Sequence, residues 1–141
     1  MTDSTQDLPS NNKMRWAGYL LSAFPVLMLL MSAVMKITKN AMVMEGMPQM
    51  GYPVALAVPI GVVELLCTVL YLIPRTSVLG AILLTGYLGG ATATHVRIEE
   101  AFIGPVVFGI LLWGGLYLRD ARIRALIPFR KPPSKPLEDE I

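Results

Sequence analysis

Glu64 is the only charged residue in a 21-residue apolar run from Pro53 to Ile73. About 20 apolar residues rising about 1.5 Å each cross a hydrocarbon core about 30 Å thick. A carboxylate halfway along such a run is costly in lipid. It must face a protein interior, find a partner or stay protonated. That makes Glu64 a candidate site residue, acting through its charge or its proton. Lys36, at the end of an earlier apolar run, is the most obvious basic partner. Counting from Pro53 puts Glu64 about 16 Å deep while Lys36 stays near the boundary. A direct pair then needs helix tilt or a water-filled outer vestibule, and without one burial keeps Glu64 protonated.

The other reactive residues exclude more than they suggest. Cys67 is the single cysteine, so no internal disulfide and no dithiol redox couple can form. His95 is the only histidine and lies near a span end, which rules out bis-histidine haem ligation. His95 and Glu99 stand four apart and read as a hydrated pair at a helix end. Seven of the nine methionines fall between Met28 and Met50, including Met44, Met47 and Met50 at steps of three. Thioethers suit Cu(I), but without Cys or His beside them they read as flexible apolar filler, and no metal site is expected. No phosphate loop, nucleophile elbow or metalloprotease motif occurs.

The elements that must carry these residues are membrane spans. Charged residues make up 16% of the chain and hydrophobic ones 54%, too apolar for an ordinary soluble domain. Four spans are expected, near 16–36, 53–73, 77–96 and 101–118, and none has the charged outer face of a soluble helix. The fold class is therefore all-α, a polytopic membrane four-helix bundle over 15–120. Residues 1–14 read as a disordered lead-in, and their acidic, non-basic start is no secretory signal. Residues 121–141 read as a basic interfacial segment, with Ile123, Leu126 and Ile127 among arginines, followed by a disordered tail.

Polar and small residues fall on one face of each span. They are Gly18, Ser22, Ser32 and Lys36 in the first, Gly61, Glu64, Thr68 and Tyr71 in the second, and Thr85, Leu88, Thr92 and His95 in the third. The candidate intramembrane polar site is Glu64, Lys36, Thr68, Thr92 and His95. Gly86 and Gly90 form a close-packing signature that predicts an internal helix contact. Pro59 predicts a kink beside Glu64. Nine of the twelve Lys and Arg residues lie on the side of the termini and three on the other, which predicts cytoplasmic termini. These charges read as stop-transfer groups, with no patch for nucleic acid.

Gly61-Val62-Val63-Glu64, then Ile73-Pro74-Arg75, then Gly90-Ala91 with His95 following, and Lys36 closing the first span, together resemble the DoxX-like family of small bacterial membrane proteins. The resemblance covers roughly residues 15 to 120. The glycine usual before the first-span lysine is here Ser32-Ala33. The resemblance implies a four-span fold in the bacterial inner membrane, with Lys36, Gly61, Glu64, Pro74, Arg75 and His95 at matching positions. It transfers no catalytic role to any of them. By analogy with quinone-linked relatives it admits a quinone as cofactor, and a membrane protein partner or a second copy beside the lipid bilayer. The expected role is an accessory or small-ligand-binding subunit of a membrane redox or stress-related system. A proton-coupled small-solute transporter using Glu64 is the alternative class, although no inverted repeat is visible. A membrane enzyme is the third, with no catalytic constellation behind it.

Overall fold

A computed structural model describes residues 12–127. Of the lead-in expected over residues 1–14, 12–14 instead form the start of a helix; the rest of it, and the tail expected beyond residue 127, lie outside the described residues. Backbone polar groups in an apolar medium must be paired within the chain, and a helix does this locally. The elements are α1 (Asn12–Ile37), α2 (Ala41–Gln49), α3 (Ala57–Leu72), α4 (Ser77–Arg97), α5 (Ile103–Arg119) and α6 (Ala121–Leu126). A 3-10 turn at Val54–Leu56 leads into α3. Asn40 caps α2 by accepting from the Met42 amide (3.0 Å), and Asp120 caps α6 by accepting from the Arg122 amide (2.9 Å).

Among the described residues three helices are long and apolar enough to cross a membrane: Asn12–Ile37, Val54–Leu72 (counted with its leading turn) and Ser77–Arg97. Ile103–Arg119 is a shorter apolar helix of 17 residues. These four helices close a ring, with α1 against α5 and α3, α3 against α4, and α4 against α5. Leu29, Tyr71, Leu84, Leu88, Leu112 and Leu116 fill its centre. Leu20, Leu27, Leu79, Ile82 and Ile110 point outward and are exposed. A bundle apolar on its outside as well as its inside is built for lipid.

Glycines set the tightest contacts. A Cβ at Gly18 would lie 2.6 Å from the Gly115 carbonyl oxygen, and one at Gly115 would collide with Ser22 Oγ. That near contact of α1 and α5 leaves room for Tyr71, which is fully buried. Its hydroxyl pairs with Ser22 Oγ (2.8 Å) and donates to the Leu112 carbonyl (2.7 Å), joining α1, α3 and α5. Gly80 in turn lies on the Tyr71 backbone, where a Cβ would not fit.

Two expectations are corrected. Gly86 and Gly90 make no internal helix contact, since a Cβ at either would meet nothing within 4 Å. Both are instead exposed, in the wall of a cavity. Pro59 sits in the first turn of α3, where amides have no intrahelical partner, so it starts the helix and does not break it.

Candidate functional site

Lys36 and Glu64 meet because of the direction in which helical side chains point. Each Cα–Cβ bond tilts toward its helix's N-terminus. Lys36 is next to last in α1 and therefore reaches back into the bundle. Glu64 sits on the antiparallel α3 and leans the opposite way, toward α2. Gly61, one turn earlier, lets the helices close: a Cβ there would lie 2.8 Å from Lys36 Cβ and 3.0 Å from the Ala33 carbonyl oxygen. The result is a 2.9 Å ion pair between Lys36 Nζ and Glu64 Oε2. The direct pair is therefore made, and it opens on a cavity.

Ser32 completes the group. Lys36 Nζ donates to Ser32 Oγ, which in turn donates to Glu64 Oε2 (3.3 Å). The Glu64 side chain is 2% exposed and that of Lys36 17%. An ammonium has three donors, and two are used here. The third has no partner among the described residues. Both bonds to Glu64 fall on Oε2, which leaves Oε1 for another donor.

Tyr87 supplies a neighbour that the sequence did not disclose. The α3–α4 contact is fixed where Gly80 meets Tyr71. Seven residues back from Tyr71 is Glu64, and seven on from Gly80 is Tyr87. In antiparallel helices these two turns bring Glu64 and Tyr87 opposite each other. The polar stripe expected on this span, Thr85, Leu88, Thr92 and His95, missed it. A heptad step from Gly80 is the signal that finds it.

Beside the ion pair lies a cavity of about 560 Å³ between α1, α3, α4 and α5, with α2 over its end. Its walls are mostly apolar, among them Met28, Leu29, Ile60, Leu88 and Phe108. Lys36, Glu64, Ser32, Tyr87 and His95 bring polar side chains to its wall, as does Tyr52 from the segment after α2. A pocket of this size, apolar with a few convergent polar groups, has the character of a small-molecule site. Breaking a buried ion pair by removing one member costs about 3–5 kcal/mol. Such a pair facing an open cavity can exchange part of its protein partners for a ligand.

The cap over the cavity is tied down by one tyrosine and one arginine. Tyr52 Oη pairs with Thr94 Oγ1 (2.8 Å). Arg97 donates to the Met50 carbonyl (2.5 Å) and lies 5.5 Å over the Tyr52 ring. Gly51, at φ +77°, turns the chain between them. Met47 is buried and lines the cavity with Met50, so α2 turns this part of the methionine cluster inward.

Of the five candidate site residues, Glu64, Lys36 and His95 line the cavity. His95 Nδ1 bonds to the Ala91 carbonyl (2.7 Å), leaving Nε2 for a second partner. Glu99 lies past the end of α4 at φ +57°, and no pair with His95 forms. Thr68 lies buried one turn below Glu64 and donates to its carbonyl (2.8 Å). Thr92 does the same to Leu88 (2.8 Å) and is not in the cavity wall. Pro74 forms the α3–α4 turn and Arg75 is exposed beside it, at the opposite end of the bundle from the ion pair. Among the described residues no cluster of three His, Cys, Asp or Glu side chains is arranged to hold a metal.

The family model for the DoxX-like family matches residues 20–115. This chain belongs to the DoxX-like family. The match takes in α1 from its third turn through most of α5, and with it Lys36, Gly61, Glu64 and His95. As a DoxX-like chain with several long apolar helices, it is a multi-pass membrane protein. No curated protein and no solved structure matches it.

Proposed function

We propose that this DoxX-like protein binds one small, membrane-soluble ligand in the cavity, as an accessory or ligand-binding subunit of a membrane redox or stress-related system. The observation that carries the reading is the Lys36–Glu64 pair in the wall of a mostly apolar 560 Å³ cavity, with one ammonium donor unspent. Apolar walls favour a lipophilic body, and the pair favours one or two hydrogen-bonding oxygens on it. A quinone has that form. Lys36, Tyr87 and His95 are the residues that would meet its oxygens, and when bound it would supply two-electron, two-proton redox chemistry. Glu64 holds the ammonium in place and is the only acid in the cavity wall among the described residues.

The bacterial inner membrane is the proposed location, with both termini in the cytoplasm and α2 on the outer side, on the strength of the nine-to-three Lys and Arg asymmetry. Native mass spectrometry of gently extracted protein tests the ligand directly. The expected result is one small lipophilic species bound per chain. Wild-type protein carrying only the ordinary bilayer lipids, in the same proportions as the membrane, would refute it.

A further inference from the structure

At the opposite end of the bundle from the ion pair, a second hollow of about 160 Å³ lies among the start of α1, the α3–α4 turn and the end of α5. Arg15, Tyr19, Pro74, Ser77, Arg119 and Asp120 are in its wall. We propose that it binds a phosphate group, held by Arg15 and Arg119.

Arg119 is positioned more firmly than a stop-transfer charge needs. Its guanidinium lies 4.6 Å over the Tyr71 ring and 5.3 Å over that of Tyr19. It also donates to the Tyr71 carbonyl (3.3 Å). Tyr71 is itself held by Ser22 and Leu112, so the arginine stands on a fixed base. A guanidinium carries five donors, and this is the single side-chain hydrogen bond that Arg119 makes among the described residues. Neither arginine has a carboxylate partner there, since Lys36–Glu64 is the only ion pair among the described residues. Among the described residues Asp120 is the one acid in the wall, and it is engaged in capping α6 through Oδ1.

Two arginines around a small hollow match an oxyanion with several oxygens, because each planar fork can address two of them. Ser77 begins α4, whose positive end adds to the same potential. The hollow also lies where the apolar helices end, the level at which lipid phosphates sit. The phosphate can therefore come from an anionic lipid headgroup or from solution.

The test uses full-length protein in phosphatidylcholine nanodiscs, with and without phosphatidylglycerol. Lipids retained after release are counted by native mass spectrometry. A second arm follows thermal stability in phosphatidylcholine alone, with inorganic phosphate against chloride at matched ionic strength. Selective retention of phosphatidylglycerol by several-fold identifies the headgroup as the source. Stabilisation by phosphate without lipid selectivity identifies the soluble ion. Either response should be lost in Arg15→Gln and in Arg119→Gln, and partly kept in Arg119→Lys. Arg119→Gln also loses its packing between two tyrosines, so exposed Arg15 decides if that variant does not fold. A wild type that responds in neither arm overturns the site, as does a folded Arg15→Gln protein that responds like wild type.

Discussion

The ammonium of Lys36 sits 2.9 Å from the carboxylate of Glu64 because Gly61 lets the helices that carry them come together one turn away. The pair is thus built by three residues. Removing either charge strands the other in an apolar bundle, whereas removing both leaves none stranded. Lys36→Met and Glu64→Leu should each destabilise the protein by about 3–5 kcal/mol, and the double variant by far less than their sum. Thermal unfolding in nanodiscs measures the cycle. Additive losses would mean that the two residues do not act as a pair.

Glu64→Gln separates charge from hydrogen bonding. The amide keeps the shape and an acceptor for Ser32 but leaves Lys36 without its counter-charge. Stability should fall to a level near that of Glu64→Leu. A Gln variant as stable as wild type would show that the acid is used in its neutral form.

The glycines should divide into two groups. Gly80→Ala and Gly115→Ala place a Cβ against Tyr71 backbone and Ser22 Oγ respectively, and overpacking of this kind costs about 1–3 kcal/mol. Gly86→Ala meets nothing within 4 Å and should be neutral, or stabilising by up to about 1 kcal/mol from helix propensity. Melting temperatures of the three variants check the ordering.

This division also marks where the sequence was readable. The approximate helix positions, the polar faces of α1 and α3, and Glu64 as an interior group followed from hydrophobicity and steps of three and four. The Lys36–Glu64 contact did not, because counting depth along a straight helix ignores the opposite lean of side chains on antiparallel helices. Tyr87 was missed because Thr85 and Thr92 carried the visible hydroxyl pattern on α4. Those hydroxyls are spent on carbonyls of their own helix one turn back. Whether a glycine packs tightly or lines a hollow depends on the neighbouring helix, so Gly80 and Gly86 look alike in the sequence.

Loosening the cap should be visible without unfolding the bundle. Tyr52→Phe removes the bond to Thr94, and Arg97→Ala removes the bond to Met50 and the stacking on Tyr52. Each loss is worth about 1 kcal/mol. Amide hydrogen exchange should rise in α2 while α1 and α3 stay protected. Unchanged exchange in residues 41–49 would show that these contacts do not hold the cap.

Orientation can be read with reporter tags. Tags at residue 141 and at the N-terminus should both report cytoplasm, and one between Asn40 and Met50 should report the outside. An outward C-terminus would remove α5, the shorter apolar helix, from the set of spans.

The most direct measurement of the central claim compares the ligand carried by wild type, Gly90→Leu and Lys36→Met under identical gentle extraction and native mass spectrometry. Gly90→Leu puts a side chain where nothing now stands within 4 Å, in the cavity wall, and leaves both members of the ion pair in place. Wild type should carry one small lipophilic species per chain, and Gly90→Leu should lose it while melting at the wild-type temperature. Lys36→Met should retain it about tenfold less well, the equivalent of about 1.4 kcal/mol. If all three proteins carry the same species in the same amount, or the wild type carries none, the cavity is not a binding site and the account is wrong.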